Sequence, residues 1–520
     1  MYPTIGDTLT LTAEKYPEQP ALIYPNKDQY WTYREFDENV NRLAAALSEL
    51  GVSKGDRVST YLFNTSEMVL TLYATAKLGA VFNPLNFRLP AGEMSYILND
   101  AESSILVYED ATAEVVETAT ADLETIEEFV TVDQHASGQG RGTDTHYFYD
   151  LLEGQSTTEP APREPVEQDD AYIVMYTSGT TGRPKGVVHT HRDMVEHDMA
   201  VLVDQQLTRD DVGLSAAPLY HSAELHVFFL PRVHVGAATV IQHQFEPSRA
   251  LDLLETYDVT VLFGAPTMWL AMLQADPEAY DLGALRLGGY GGASMAPATV
   301  RDVHDRIGCD LIQYYGMTEF GPAVTALYPD EQLEKAGSAG VPILNHDVRI
   351  AALDGSGNAL APDEEAPVGE VGEIIVDGPA KMREYWNKPQ KTEAAFRDGW
   401  YYTGDLASAD EDGYIWVKDR ADDMIVSGGE NIYPREVEDT LLEHPGVVEV
   451  AVVGKPDDEW GEIVYAYVKA EDGVTEDDLD EFLRQSDDLA DFKRPRGYAF
   501  VQELPKTPSG KIKKFELREE

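Results

Sequence analysis

Short β-rich runs recur along this chain with amphipathic helical stretches between them, and this alternation restricts it to parallel βαβ architecture. VSTYLF, SILVYE and FVTVD alternate with helical stretches such as SEMVLTLYATAKLG. From Arg34 to Leu50, the residues Phe36, Val40, Leu43, Leu47 and Leu50 fall at helical spacing, and Gly51 offers a left-handed stop. Gln134 to Asp170 breaks the rhythm with Gly, Ser, Thr, Glu and Pro around one aromatic patch, HYFYDLL. It reads as a connector and a subdomain junction. The rhythm resumes in AYIVMYT, VGLSAAP, ATVIQ, VTVLFGAP, LRLGGYGG and CDLIQYYG, and five of these six end in Gly, Pro or Thr-Ser clusters. Open parallel sheets bind ligands beyond the carboxyl ends of their strands, so those endings locate a site. After Gly340 strands such as DVRIAAL and EVGEIIVDG predict a β-rich subdomain, and from Asp422 a smaller α+β unit follows. The expected fold class is therefore α/β. It comprises a large N-terminal domain, residues 1–421, of βαβ subdomains plus a β-rich one, and a small mobile α+β domain, residues 422–520.

At 520 residues the chain is too long for a single core. No apolar run reaches the roughly 18 residues of a spanning helix. The best stretch, His226 to Val240, is interrupted by Pro231, Arg232 and His234. The first residues lack a basic segment followed by an apolar one, and the lone Cys309 permits neither an internal disulfide nor a cysteine metal cage. A cytoplasmic protein without integral membrane contact is the expectation. Forty basic against 93 acidic side chains give a net charge of −53, which argues against nucleic acid as a partner. Self-repulsion of that size opposes compaction in dilute buffer, and molar salt shortens the Debye length to about 3 Å. The composition is that of a salt-adapted, halophilic protein. In so acidic a chain carboxylate pairs arise by chance, and lysines and glycines carry more information.

The most informative loop is YTSGTTGRPK, Tyr176 to Lys185. Its glycines, hydroxyls and lysine supply the N–H groups, O–H donors and cation that a polyphosphate needs. Pro184 stands where the common kinase-type phosphate loop has its second glycine. A second concentration of charge closes the chain: Lys506, Lys511, Lys513 and Lys514 cluster in PKTPSGKIKK, where an anion is expected to meet them.

TSGTTGRPKG resembles the phosphate loop of the adenylate-forming (ANL) superfamily, which includes acyl-CoA synthetases, luciferases and peptide-synthetase adenylation domains. Further stretches resemble that superfamily's motifs in its order: PLYHSAELH, GGAS, YYGMTEFG, WYYTGD, DRADDMIVSGGENIYPREVE and PKTPSGKI. The resemblance covers nearly the whole chain and implies an AMP-forming acyl-CoA synthetase. Such an enzyme joins a carboxylic acid, ATP and coenzyme A through an acyl adenylate, with Mg2+ and a domain rotation.

Carried over position by position, the resemblance implies nucleotide contacts at Thr177, Ser178, Gly179, Thr180, Thr181, Gly182 and Lys185. It implies further ones at Gly292, Ala293, Ser294, Tyr314, Tyr315, Gly316, Met317 and Thr318. Glu319 would bind the metal, Asp405 the ribose with Arg420 opposite, and Lys511 the charge that develops at the α-phosphate. Tyr315 offers a flat face to adenine. His221 would lie between acid and nucleotide, in an acyl pocket with Ser222, Glu224, Gly264, Pro266, Thr267, Tyr290 and Gly291. Asp422 would be the pivot, and Gly428 and Gly429 would line the path of the coenzyme A thiol.

PLYHSAELH departs from the usual fatty-acid pattern through Glu224 and His226; Glu224 reads either as a pocket residue or as one more solvent-facing acid. His189 and His191 form an H-x-H pair without a third metal ligand. Fatty acids are the first expectation for the substrate and aryl acids the second. An adenylation enzyme loading a carrier protein is disfavoured because no carrier segment follows within the 520 residues. A catalytically silent nucleotide or acyl binder is disfavoured because Lys185, Glu319, Asp405, Arg420 and Lys511 are all present. A homodimer is compatible with the sequence but not read from it.

Overall fold

The helix anticipated from Arg34 to Leu50 runs from Tyr33 to Glu49. Thr32 caps it, its hydroxyl accepting from the Glu35 N–H while the Glu35 carboxylate accepts from the Thr32 N–H, which satisfies two otherwise orphaned donors. Its buried stripe includes Phe36, Val40, Leu43 and Leu47, and Gly51 follows at φ +99°. The computed structural model describes residues 3–133, 145–177, 183–355, 357–427, 430–457, 460–486, 489–507 and 511–519.

Two compact units divide the chain. The first holds Met1–Thr177, Pro184–Asp347 and Asp377–Ala394; the second holds Val348–Val376 and Ala395–Glu520. The division groups the β-rich segment with the C-terminal α+β segment.

The first unit contains two sheets, of eight and nine strands. In the eight-stranded sheet, Arg57–Tyr61, Val81–Pro84, Ser103–Glu109, Glu128–Val132, Thr145–Tyr147 and Ala171–Thr177 run parallel. Lys185–Thr190 and Glu384–Tyr385 complete one edge antiparallel. This corrects the junction expected between Gln134 and Asp170: strands before and after that segment belong to one sheet. HYFYDLL supplies the opposite edge strand, Thr145–Tyr147, and the helix Phe148–Leu152, so its aromatics are structural. The nine-stranded sheet is parallel through Asp310–Gly316, Leu287–Gly291, Val261–Phe263, Val212–Ser215, Ala238–Ile241 and Pro20–Tyr24, with antiparallel strands at both edges.

Helix Ser66–Leu78 is buried on every side, which is why SEMVLTLYATAKLG shows little amphipathic pattern. Its two charges are neutralised inside: Glu67 pairs with Lys27, and Lys77 meets Asp37 and Glu159, both at 2.7 Å. Asn64, just past Arg57–Tyr61, ties the carboxyl ends of strands from both sheets together. Its amide donates to the carbonyls of Ser215, Ala217 and Gln242 at 2.9–3.3 Å, and its oxygen accepts from the Leu219 N–H at 2.8 Å. The interrupted stretch after His226 is not a span but a π-helical turn, Ala223–Phe229, continuing into the helix Leu230–Val235. Among the described residues no helix is long and apolar enough to cross a membrane.

In the second unit Asp347–Ala351, Gly372–Asp377, Phe396–Arg397, Trp400–Ala409 and Ile415–Arg420 form a five-stranded sheet. A further sheet, led by the long hairpin Val447–Asp457 and Gly461–Ala470, carries the helices Pro434–Leu442 and Glu476–Gln485 on a core of Val437, Leu441, Val452, Leu479 and Leu483.

Candidate active site

In the first unit, site residues gather beyond the carboxyl ends of the parallel strands. Strand Asp310–Gly316 points Tyr314 and Tyr315 to opposite faces, as strand periodicity requires. Tyr314 is 6% exposed and packs edge-on against Phe228. Its ring belongs to the core and its backbone borders the site, where a Cβ on Gly291 would lie 2.7 Å from the Tyr314 carbonyl oxygen. Tyr315 is half-buried and Gly316 is exposed, while Gly292 and Ala293 are exposed on the opposing turn. Gly292 has φ +78°, a conformation that favours glycine.

Thr318–Phe320 forms a short helical turn right after that strand. Glu319 is 8% exposed, and its Oε1 accepts from the Tyr385 hydroxyl at 2.8 Å. Its Oε2 has no hydrogen-bond partner among the described residues. One free carboxylate oxygen beside polyphosphate oxygens and water suits Mg2+, which rarely takes an all-protein cage. The residues present therefore fit the metal. Among the described residues no cluster of three or more His, Cys, Asp or Glu forms another metal site.

Lys185 begins the strand Lys185–Thr190, paired antiparallel with Ala171–Thr177 so that Thr177 stands opposite Lys185. The glycine-rich loop thus joins two strands of a hairpin, and no helix N-terminus follows it. The Lys185 ammonium lies 4.2 Å from the centre of the Tyr385 ring. Ser178, Gly179, Thr180, Thr181 and Gly182 lie outside the described residues, as do Gly428 and Gly429.

His221 is exposed, and its Nδ1 accepts from the Ala223 N–H at 3.2 Å, which leaves the proton on Nε2. Ser222 is 3% exposed with its hydroxyl 3.4 Å from that of Thr318, so two predicted motifs meet there. Gly264 is buried beside Trp269, while Pro266 and Thr267 open the helix Pro266–Gln274 at the same strand ends.

Two of the expected pocket residues are held inside. Tyr290 is 2% exposed and its hydroxyl donates to Gln332 at 2.7 Å, which fixes the ring. Glu224 is not a solvent-facing acid: it is fully buried, accepting from Arg232 at 3.0 Å and from the Ser215 hydroxyl at 2.6 Å. Burial raises its carboxyl to about 7 against the pull of Arg232. The Arg232 guanidinium occupies the space a side chain at Gly213 would need, since a Cβ there would stand 2.0 Å from Nη1.

The H-x-H pair is not a metal site either. His189 Nε2 donates to the Thr318 carbonyl at 2.6 Å, and His191 Nδ1 accepts from the Ile5 N–H at 3.2 Å. Two further histidines grip the same turn. His226 Nδ1 donates to the Gly321 carbonyl at 3.0 Å, and its Nε2 faces the Tyr172 hydroxyl; His197 Nε2 accepts from the Ala323 N–H at 3.1 Å. All four rings are buried. Burial lowers His191 to about 4 and His226 to about 3, and drives His197 well below its usual range. His189, His197 and His226 hold the backbone of the turn carrying Thr318 and Glu319, the last two as neutral rings. Their roles, like that of Tyr385, were missed in the sequence; the only signal was an excess of histidines in VVHTHRDMVEH and AELH.

In the second unit, Asp405 and Arg420 face each other across paired strands at 2.7 Å, and Arg420 also donates to the Thr403 carbonyl at 3.0 Å. Gly404, at φ +72°, leaves room for the guanidinium, since a Cβ would lie 3.0 Å from Nη2. Asp422 is exposed on the turn Ala421–Asp423. Of the four tail lysines, Lys506 pairs with Glu449, Lys513 with Glu516 at 2.9 Å and Lys514 with Glu438 at 2.8 Å. Lys511 is exposed without a carboxylate partner among the described residues, and its N–H donates to the Thr507 hydroxyl at 3.1 Å.

Comparison with known proteins identifies the family. The family described as AMP-binding enzyme matches residues 9–386, and the AMP-binding enzyme C-terminal domain matches residues 436–511. A feruloyl-CoA synthase of Amycolatopsis sp is 40% identical over 94% of this chain and 93% of its own. A long-chain-fatty-acid–CoA ligase of Mycobacterium tuberculosis is 35% identical over 99% and 98%. Among solved structures, o-succinylbenzoate CoA synthetase of Bacillus subtilis, in complex with its acyl-adenylate intermediate, aligns at a TM-score of 0.85 with 30% identity, covering 98% of this chain and 97% of that one. Sequence, fold and site together place the chain in the AMP-binding enzyme family, among its AMP-forming acid–CoA ligases.

Proposed function

We propose that Glu319, Lys185 and Lys511 carry the first half-reaction of this ligase, in which a carboxylate attacks the α-phosphorus of ATP and pyrophosphate leaves. The observation that supports this most directly is the Glu319 carboxylate. It is nearly buried, has one oxygen fixed by Tyr385 and the other without a partner among the described residues, and lies within one aromatic ring of the Lys185 ammonium. Carboxylate and triphosphate repel, so catalysis here is chiefly the placing of opposing charge and in-line alignment. Mg2+ held at Glu319 would offset phosphate charge there. Thr318 offers its hydroxyl to phosphate, Asp405 and Arg420 receive the ribose, and Tyr315 stacks on adenine.

The second half-reaction, attack of the coenzyme A thiol on the acyl adenylate, needs an open path where the first needs Lys511. We assign the rearrangement between them to a pivot at Asp422, separating functional domains 1–421 and 422–520, with Gly428 and Gly429 on the thiol path. His221, Ser222, Gly264, Pro266, Thr267 and Gly291 border the acid. A fatty acid is the first reading for that acid. An aryl acid is the second, favoured by the 40% identical relative named for feruloyl-CoA.

The test uses pyrophosphate release and thioester formation in molar KCl with Mg·ATP, coenzyme A and a panel of fatty acids, benzoates and cinnamates. Lys511→Ala should lower adenylation by about 10²-fold or more and leave conversion of a supplied acyl adenylate intact. Equal loss in both half-reactions would refute the division of labour. Thioester from cinnamates but not fatty acids would select the second reading.

A further inference from the structure

We propose that Tyr385 is a positioning residue that keeps the Lys185 ammonium and the Glu319 carboxylate apart and aims each at its own partner in Mg·ATP. The proposal rests on the assignment of Lys185 to phosphate and Glu319 to the metal given above. Strand Glu384–Tyr385 pairs antiparallel with Lys185–Thr190, setting Tyr385 opposite Val187 and Glu384 opposite Val188. Lys185 is two residues from Val187 along its strand, hence on the same face and diagonal to Tyr385. The ring receives the ammonium at 4.2 Å, and the hydroxyl donates to Glu319 Oε1 at 2.8 Å. Tyr385 is itself 3% exposed, and its backbone N–H donates to the Thr392 hydroxyl at 3.0 Å, so the ring is anchored from its own strand.

The physical reason lies in what the two charges would otherwise do. A lysine and a glutamate that share one neighbouring ring, with the carboxylate nearly buried, attract each other and would form a contact pair if nothing else held them. Such a pair would have to break before phosphate could claim the ammonium and a cation the carboxylate. With the phenol between them, each charge has a weaker partner that costs less to exchange. Among the described residues the side-chain donor to Glu319 is the Tyr385 hydroxyl, and no basic group pairs with it. The hydroxyl also occupies only Oε1, and so fixes which oxygen is presented.

The experiment compares the wild type with Tyr385→Phe, Tyr385→Leu and Glu319→Gln in molar KCl. Mn2+ binding to the enzyme–ATP complex is followed by loss of the free-ion electron paramagnetic resonance signal, and pyrophosphate release is followed against free Mg2+ and against ATP. Tyr385→Phe keeps the ring and loses one hydrogen bond to a charged group. It should raise the Mn2+ and Mg2+ half-saturation about tenfold while the KM for ATP at saturating Mg2+ stays within about twofold. Tyr385→Leu should raise both, because Lys185 also loses its aromatic partner. Wild-type metal dependence in Tyr385→Phe, with Glu319→Gln shifted, would overturn the proposal. A fall in kcat in Tyr385→Phe with no change in metal half-saturation would overturn it equally, as that is what a merely structural tyrosine gives. Unchanged metal binding in Glu319→Gln would instead refute the metal assignment on which the proposal rests.

Discussion

Replacing Arg232 by methionine should destabilise the first unit severely, and the cost can be worked from the contacts. Both Arg232 and Glu224 are fully buried, and the guanidinium gives Glu224 its charged partner at 3.0 Å and Ser215 a hydrogen bond at 2.7 Å. Methionine matches much of the volume, so what is lost is mainly the counter-charge. Glu224 would keep only the Ser215 hydroxyl, at 2.6 Å. Removing one member of a buried pair costs about 3–5 kcal/mol because the remaining charge is uncompensated. Replacing both, Arg232→Met with Glu224→Leu, should cost much less, since the paired charges had themselves to be desolvated. Urea unfolding at fixed molar KCl measures Arg232→Met, Glu224→Leu and the double variant without changing ionic strength. The pH dependence is a second check. Burial raises the Glu224 carboxyl to about 7 in the fold, so its stability contribution is full below its ordinary value of 4.5 and is lost as pH rises through about 7. Without Arg232 the carboxyl rises further, and the single variant's deficit should shrink as pH falls from about 8 to about 5.5. A deficit below about 1 kcal/mol, or a double variant as unstable as the sum of the singles, would refute the buried-pair account.

Two further outcomes follow from the same structure. His226→Leu strips partners from the Tyr172 hydroxyl and the Gly321 carbonyl, both in the interior, and should cost about 2–4 kcal/mol in urea unfolding. Because His226 is lowered to about 3 in the fold, its stability contribution is present above about 6.5 and lost as pH falls, so the variant should lose less on acidification; a cost under about 1 kcal/mol would count against the histidine grip. With a net charge of −53, the unfolding midpoint should rise from dilute buffer to molar KCl, and full stability in dilute buffer would dismiss the salt-adapted reading.

The sequence was most legible where one residue type has one common use. Phe36, Val40, Leu43 and Leu47 mark a helix stripe whatever surrounds them, and helix Tyr33–Glu49 ended within a residue of its expected stop. Strand ends were legible for the same reason, and with them the position of Glu319 and Thr318 beyond Asp310–Gly316. The aromatic residues of the site were harder. Alternation along a strand says that Tyr314 and Tyr315 face opposite ways but not which of them faces the core. Tyr385 was hidden because its partners lie 66 and 200 positions away, and only the edge pairing with Lys185–Thr190 brings them together. Glu224 was hidden by composition: with 93 acidic residues one more carried no weight, and its pairing with Arg232 depends on the π-helical turn between them. Gln134 to Asp170 misled because polar composition marks a loop, not a domain boundary, and the strand Thr145–Tyr147 within it closes the edge of the sheet begun before it.

The same acidity constrains how Lys511, the lysine proposed for adenylation, is presented. In a chain with more than two carboxylates for each basic side chain, a lysine is ordinarily paired, as Lys506, Lys513 and Lys514 are. Those three partners lie within the second unit, and the pairing of Lys514 is the most buried, its Glu438 carboxyl raised by desolvation. Near Lys511 the backbone is held by two contacts, the Thr507 N–H donating to the Lys511 carbonyl at 2.7 Å and Lys506 bridging Ile512. Fixing the backbone while neighbouring lysines take up the nearby carboxylates leaves one ammonium for an anion supplied from outside. Lys185 has a different neighbour, the Tyr385 ring, whose centre lies 4.2 Å from its ammonium. Molar salt would weaken the long-range pull of the remaining acids on both lysines while sparing contacts at hydrogen-bond distance. Screening would then keep the site's cations available as well as holding the chain compact, and an acidic surface and a cationic active site can coexist in one molecule.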